Sequence, residues 1–149
     1  MTRSDTSSND FWTEETSSQQ RFTFGKQEKL CYRRSFDLIF AQRHSFNCGG
    51  LWVSYFFDLP EELVTFPMMV AFSVPKRNFK QAVTRNLIKR RMREAYRLNK
   101  HTCIDALRSQ RRSLAILVKY NGRRVRSFRS VEKDMLCVFK KLEELSGSI

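Results

Sequence analysis

The stretch Arg85-Asn86-Leu87-Ile88-Lys89-Arg90-Arg91-Met92-Arg93-Glu94-Ala95-Tyr96-Arg97 reads as a helix with two unlike sides. At about 100° per residue, Ile88, Met92, Ala95 and Tyr96 recur at helical spacing and form one apolar stripe, which must face a core. Asn86, Arg90, Arg93 and Arg97 form a second stripe, flanked by Arg85 and Lys89. A solvated helix face ordinarily interleaves Glu with Lys one turn apart, whereas Glu94 is the sole acid between Lys76 and Arg97. Cations held this densely repel one another unless a polyanion lies along them. Arg outnumbers Lys here, which suits phosphate, because guanidinium groups fork onto its oxygens. The helix predicts a nucleic-acid partner.

Upstream of it, Pro75 ends a strand and Lys76 to Lys80 form a basic loop, so the helix is expected over roughly 81–99. The strand region runs from Val64 to Val74, broken at its start by Pro67, and its continuous run Met68-Met69-Val70-Ala71-Phe72 suits a central strand. Leu51 to Phe57 alternates, with Trp52, Ser54 and Phe56 on one side and Leu51, Val53, Tyr55 and Phe57 on the other. Asn47-Cys48-Gly49-Gly50 breaks the chain before it, and a short amphipathic helix is expected over roughly 28–42, with Phe36 and Phe40 on one face. Downstream come a helical turn near Ile104–Arg108 and a buried strand at Leu114–Val118. A last helix follows, capped by Ser127 or Ser130, with Val131, Met135, Val138, Phe139 and Leu142 recurring inside it. Residues 1–20 are polar and acidic, with Phe11 and Trp12 their only large apolar groups, and read as a disordered tail before a single RNA-binding domain over 21–149. The order of elements gives an α+β fold, a mixed sheet with helices packed on it, on one face in the simplest arrangement.

The net charge of +13 is concentrated: residues 76–112 carry 13 Lys and Arg against Glu94 and Asp105 alone. This is a patch of the kind that tracks phosphates. Cys31, Cys48, Cys103 and Cys137 are scattered, with no CxxC pair and with His44 and His101 standing alone, so no zinc site is expected and the thiols are read as reduced in a cytoplasm. No run approaches the ~18–20 apolar residues that cross a membrane, and the basic helix lacks the aromatic anchors of an interfacial one. No Gly-rich phosphate loop, HExxH or carboxylate cluster is visible, so neither a catalytic residue nor a metal ligand is assigned to the chain. Phe36, Phe40 and Tyr55, with Arg33, Arg34 and Arg43 nearby, have two readings: core packing, or a platform on which unpaired nucleotides stack.

The run Phe72-Ser73-Val74-Pro75-Lys76-Arg77-Asn78-Phe79-Lys80-Gln81-Ala82-Val83-Thr84-Arg85-Asn86-Leu87-Ile88-Lys89-Arg90-Arg91-Met92-Arg93-Glu94 resembles the signature of the bacterial ribonuclease P protein family, with its RNxxKRxxRE block. Arg34-Ser35-Phe36-Asp37-Leu38-Ile39-Phe40 resembles that family's opening element, and the resemblance spans roughly 22–145. The family often has Gly in the basic loop where this chain has Lys80 or a neighbour. The resemblance implies a sheet of about four strands with a left-handed strand-helix-strand crossover, against the usual hand. It further implies the protein subunit of a ribonucleoprotein that removes 5′ leaders from precursor tRNA, in which the ribonuclease P RNA does the chemistry and mainly holds the Mg2+, with no stable protein partner and no membrane. Carried over by residue, Arg85, Asn86, Lys89, Arg90 and Arg93 would face the catalytic RNA, joined by Lys76, Arg77 and Arg97 of the same basic patch as RNA-binding residues, and Phe36, Phe40 and Tyr55 would line the cleft for the leader. From the residues alone, a ribosomal or ribosome-assembly protein remains an alternative for the basic helix. A DNA-binding regulator fits less well, since an Arg-dense helix with so few Gln, Asn or Ser lacks the side chains to read bases.

Overall fold

The structure, a computed structural model, describes residues 24–148; the tail expected over 1–20 lies outside the described residues. Its elements are α1 (Arg33–Gln42), β1 (Ser45–Cys48), β2 (Leu51–Phe57), β3 (Met68–Ser73), α2 (Ala82–Asn99), α3 (His101–Gln110), β4 (Leu114–Tyr120) and α4 (Phe128–Ser148). Short 3-10 turns at Lys26–Glu28 and Glu61–Leu63 complete it. The four strands form one sheet in the order β1-β2-β4-β3. β1 with β2 and β2 with β4 are antiparallel, whereas β3 and β4 run parallel. Parallel neighbours require a crossover, here supplied by α2 and α3, the unit whose left hand the resemblance implies.

Helices cover both faces of the sheet, which corrects the simpler one-faced arrangement. On one face α2, α3 and α4 enclose Leu51, Val53, Met68, Val70, Ile116 and Val118 together with Ile88, Met92, Met135 and Val138. On the other, Ile39 of α1 packs with Leu30, Leu59, Leu63, Met69 and Ala115. Two-sided burial explains why Met68–Phe72 is continuously apolar although β3 is an edge strand and not a central one. Its free edge is partly covered, for Leu30 N–H donates to Val70 O at 3.0 Å and Lys29 bridges Val70 in parallel.

β1 lies where a chain break is expected. Cys48 pairs with Leu51 across the two-residue turn Gly49-Gly50, and Gly49 takes a φ of 58°, so the double glycine closes a hairpin. Asp134 of α4 anchors that turn: its Oδ2 accepts from Gly50 N–H at 2.9 Å and from Arg126 Nη1 at 2.5 Å. The helical turn expected near Ile104–Arg108 is the full helix α3, separated from α2 by Lys100 alone. Lys100 is buried against Glu28, Nζ to Oε1 2.5 Å, and its ammonium lies 5.8 Å from the centre of the Tyr96 ring. Burial lowers the Lys100 pKa from its ordinary value, and the Glu28 carboxylate opposes that shift. Of the two serines expected to cap α4, Ser127 does so, its Oγ accepting from Ser130 N–H at 3.2 Å.

Candidate nucleic-acid interface

α2 buries Ile88, Met92, Ala95 and Tyr96, the same four residues whose spacing marks its apolar stripe. Burying the larger of these contributes about 1.5–3 kcal/mol each, which fixes how the helix is rotated and so where its cations point. Asn86 and Arg90 are exposed and Lys89 and Arg93 half-buried. Among the described residues, Lys89, Arg90 and Arg93 have no ion pair. Arg97 differs, because its guanidinium is hydrogen-bonded to Glu94 one turn earlier; that bond lowers the Glu94 pKa and raises that of Arg97. The outer end of the stripe is thus partly neutralised. Arg85 is turned inward along the chain, where its Nη1 donates to Phe79 O at 2.8 Å and Lys80 O at 2.9 Å, clasping the basic loop to the first turn of α2. Lys76 and Arg77 stand exposed on that loop. The result is a row of fixed cations with no interleaved acid until Glu94, a surface suited to the closely spaced phosphates of folded RNA.

Period two along β2 decides the aromatic set. Phe56 packs on the α1 side, and Tyr55 packs on the side of α2 and α4, where its ring meets Phe46 at 5.7 Å, Phe57 at 5.8 Å and His44 at 5.5 Å. Phe36 packs on the α1 side, and Phe40, on the same helix, is 56% exposed. The structure therefore does not bring Tyr55 together with Phe36 and Phe40; the sheet lies between them. Of the two aromatic residues of β2 on their face, Phe56 and Trp52, it is Trp52 that is exposed, at 40%; sequence reasoning grouped it correctly with Ser54 and Phe56 but left it out of the cleft.

The register shows the floor of that face. α1 packs over the end where Phe56, Ala115 and Met69 stand abreast. Beyond it, Asn47, Trp52, Lys119 and Ser73 form one row across all four strands, and Ser45, Ser54, Leu117 and Ala71 form the next. None of these eight is fully buried. An exposed indole beside an ammonium, with small hydroxyls around them and Phe40 on the adjoining helix, can stack an unpaired base while a cation meets its phosphate. Arg33, Arg34 and Arg43 are exposed on α1 and at its end, with Arg34 near Glu62 at 3.4 Å.

No three His, Cys, Asp or Glu side chains among the described residues are grouped to hold a metal ion, so the side chains present do not fit a Mg2+ cage. No helix of the described residues is long and apolar enough to cross a membrane. A cationic helix on one side of a mixed sheet and an aromatic, half-open face on the other can be compared with known proteins. A family model described as Ribonuclease P matches residues 24–143. The chain belongs to that family.

Relatives agree with this assignment. The ribonuclease P protein component of Porphyromonas gingivalis W83 is 34% identical over 129 residues, covering 85% of this chain and 90% of that one. That of Chlorobaculum tepidum is 41% identical over 70 residues, 46% of each chain. The solved structure of the Staphylococcus aureus RNase P protein superposes with a TM-score of 0.59 at 21% identity, covering 77% of this chain and 94% of that one, and shares the fold. The chain is accordingly the protein component of a bacterial ribonuclease, acting with an RNA subunit in the processing of tRNA 5′ leaders.

Proposed function

We propose that the chain holds two RNAs on opposite faces of its sheet. The α2 stripe of Asn86, Lys89, Arg90 and Arg93, continued by Lys76 and Arg77 and ended by Arg97, lies on the RNA subunit, while Arg85 keeps the basic loop in position. The single-stranded leader of precursor tRNA runs over the open face floored by Trp52, Ser54 and Lys119 and walled by Phe36 and Phe40 of α1. The observation that supports this division best is the exposure of Trp52 and Phe40 on the face away from α2. Folded RNA offers dense phosphates and suits a rigid row of Arg, whereas a leader offers unstacked bases and suits a platform. Hydrolysis and the Mg2+ it uses are assigned to the RNA subunit, and the site of action to the cytoplasm.

Reconstitution tests the reading. Added to a bacterial ribonuclease P RNA at low magnesium, the chain should restore cleavage of precursor tRNA, and the assembled particle should bind leader-bearing tRNA more tightly than mature tRNA. Absence of both effects refutes it.

A further inference from the structure

The loop between β4 and α4 reads Asn121-Gly122-Arg123-Arg124-Val125-Arg126, and its course is set by hydrogen bonds. Tyr120 Oη donates to Arg124 O at 2.6 Å and accepts from Arg126 N–H at 3.2 Å. From α2, Arg91 Nη1 donates to Arg126 O at 2.6 Å. Asn78 Nδ2, in the basic loop before α2, lies 3.4 Å from Gly122 O and donates to it, and beneath that junction the rings of Phe79 and Tyr120 are 5.8 Å apart. Two loops remote in sequence are thereby tied into one border at the start of α2.

Their charges are unequal in fate. The Arg126 guanidinium is engaged by Asp134. Arg123, Arg124, Lys76 and Arg77 are exposed and, among the described residues, have no ion pair, and neither 75–80 nor 121–126 contains an acid. Holding four such cations on joined, hydrogen-bonded loops costs repulsion that a polyanion relieves. Phe79 and Tyr120 are buried, so the border offers no ring on which an unpaired base could stack. Its chemistry suits the phosphates of base-paired RNA.

We propose that Arg123 and Arg124, with Lys76 and Arg77, form a second phosphate-binding border that extends the α2 stripe onto the β4–α4 loop and grips a helical segment of the RNA subunit. This rests on the two-RNA reading above. The test is the Arg123→Ala/Arg124→Ala chain, measured for affinity to bacterial ribonuclease P RNA across a salt series, and for precursor tRNA affinity of the particle assembled at saturating protein. Two lost phosphate contacts should shallow the slope of log affinity against log salt by about 1.4–1.8, with precursor affinity unchanged. Arg123→Gln/Arg124→Gln should behave alike, and Arg123→Glu/Arg124→Glu should bind more weakly still. An unchanged slope in a chain that still binds RNA and rescues cleavage overturns the border alone. A loss confined to precursor affinity also overturns it, since the loop would then face tRNA. Failure of the unaltered chain to bind the RNA at all removes the two-RNA reading together with it.

Discussion

Trp52 and Tyr55 stand three residues apart in one strand and serve opposite faces. Alternation along β2 already separates them, yet the platform reading grouped Tyr55 with Phe36 and Phe40, and the family resemblance kept it there; period two is the stronger constraint, because a strand cannot turn one side chain against the pleat. Trp52→Ala should therefore weaken precursor binding by about 1–3 kcal/mol for one lost stack and leave mature tRNA binding unchanged, as fluorescence titration of the two ligands would show. Equal losses for both would mean the face does not hold the leader. Tyr55→Ala, by contrast, should lower stability, since its ring packs against Phe46 and Phe57. Gly49 illustrates a different constraint: at φ 58° a Cβ would stand 2.2 Å from Asp134 Oδ1, so strain adds to a displaced anchor. Gly49→Ala should destabilise by roughly 1–3 kcal/mol, read from urea unfolding with RNA absent; a change too small to resolve would show that the hairpin turn yields easily.

Among the elements, α2 was the most legible, because a core-facing stripe repeats four times within it and no competing period exists. α1 begins five residues later than its apolar pattern suggests, since Lys26–Glu28 spends its backbone in a 3-10 turn and Lys29–Leu30 in the edge of β3. β1 left almost no signal: four residues, three of them polar or small, ahead of two glycines. The joint between α2 and α3 was equally silent, as no Gly or Pro marks it and the buried partner of Lys100 is Glu28, far off in sequence. The clasp and the stripe in α2 can be separated by mutation. Arg90→Ala/Arg93→Ala should lower the salt slope of RNA binding while far-UV dichroism is retained, because both side chains lie off the buried stripe. Loss of dichroism would contradict the assigned helix face.

For the whole molecule, catalysis and pH response follow from what it contains. Its cations stabilise anions but do not readily accept a proton near neutrality, so RNA-free protein should cleave no precursor at any magnesium concentration; cleavage abolished by removal of one carboxylate would refute the assignment of chemistry to the RNA. Burial pushes the Cys48 and Cys103 thiols up from 9.0 to about 12, with the neighbouring Cys137 adding to the shift at Cys48, and holds the Tyr96 phenol well above 10.0. Unfolding returns each to its ordinary value, so above pH 9 the unfolded chain sheds protons that the folded chain retains, and stability falls as pH rises from about 9 towards 12. Lys100 opposes this, because its lowered pKa lets the folded state lose a proton first, but one group acts against four, since burial also raises the Tyr120 phenol. A melting temperature that declines over that range, and declines less in Cys103→Ala, is the expected result; a flat profile would contradict it.

β4 lies between β2 and β3 and is the last strand in the chain. Synthesis proceeds from the N-terminus, so the hairpin and Met68–Ser73 emerge without the strand that pairs with both, and although Leu30, Ile39, Leu59 and Leu63 are already made to cover Met69, the opposite face of that apolar strand waits uncovered while α2 and α3 are made. Leu114–Tyr120 then closes the sheet in one step, and α4 seals it. A nascent chain halted before Leu114 lacks the strand that pairs with both β2 and β3 and leaves the apolar edge of Met68–Ser73 open, a natural target for chaperones, whereas one carried past Tyr120 holds every strand of its sheet.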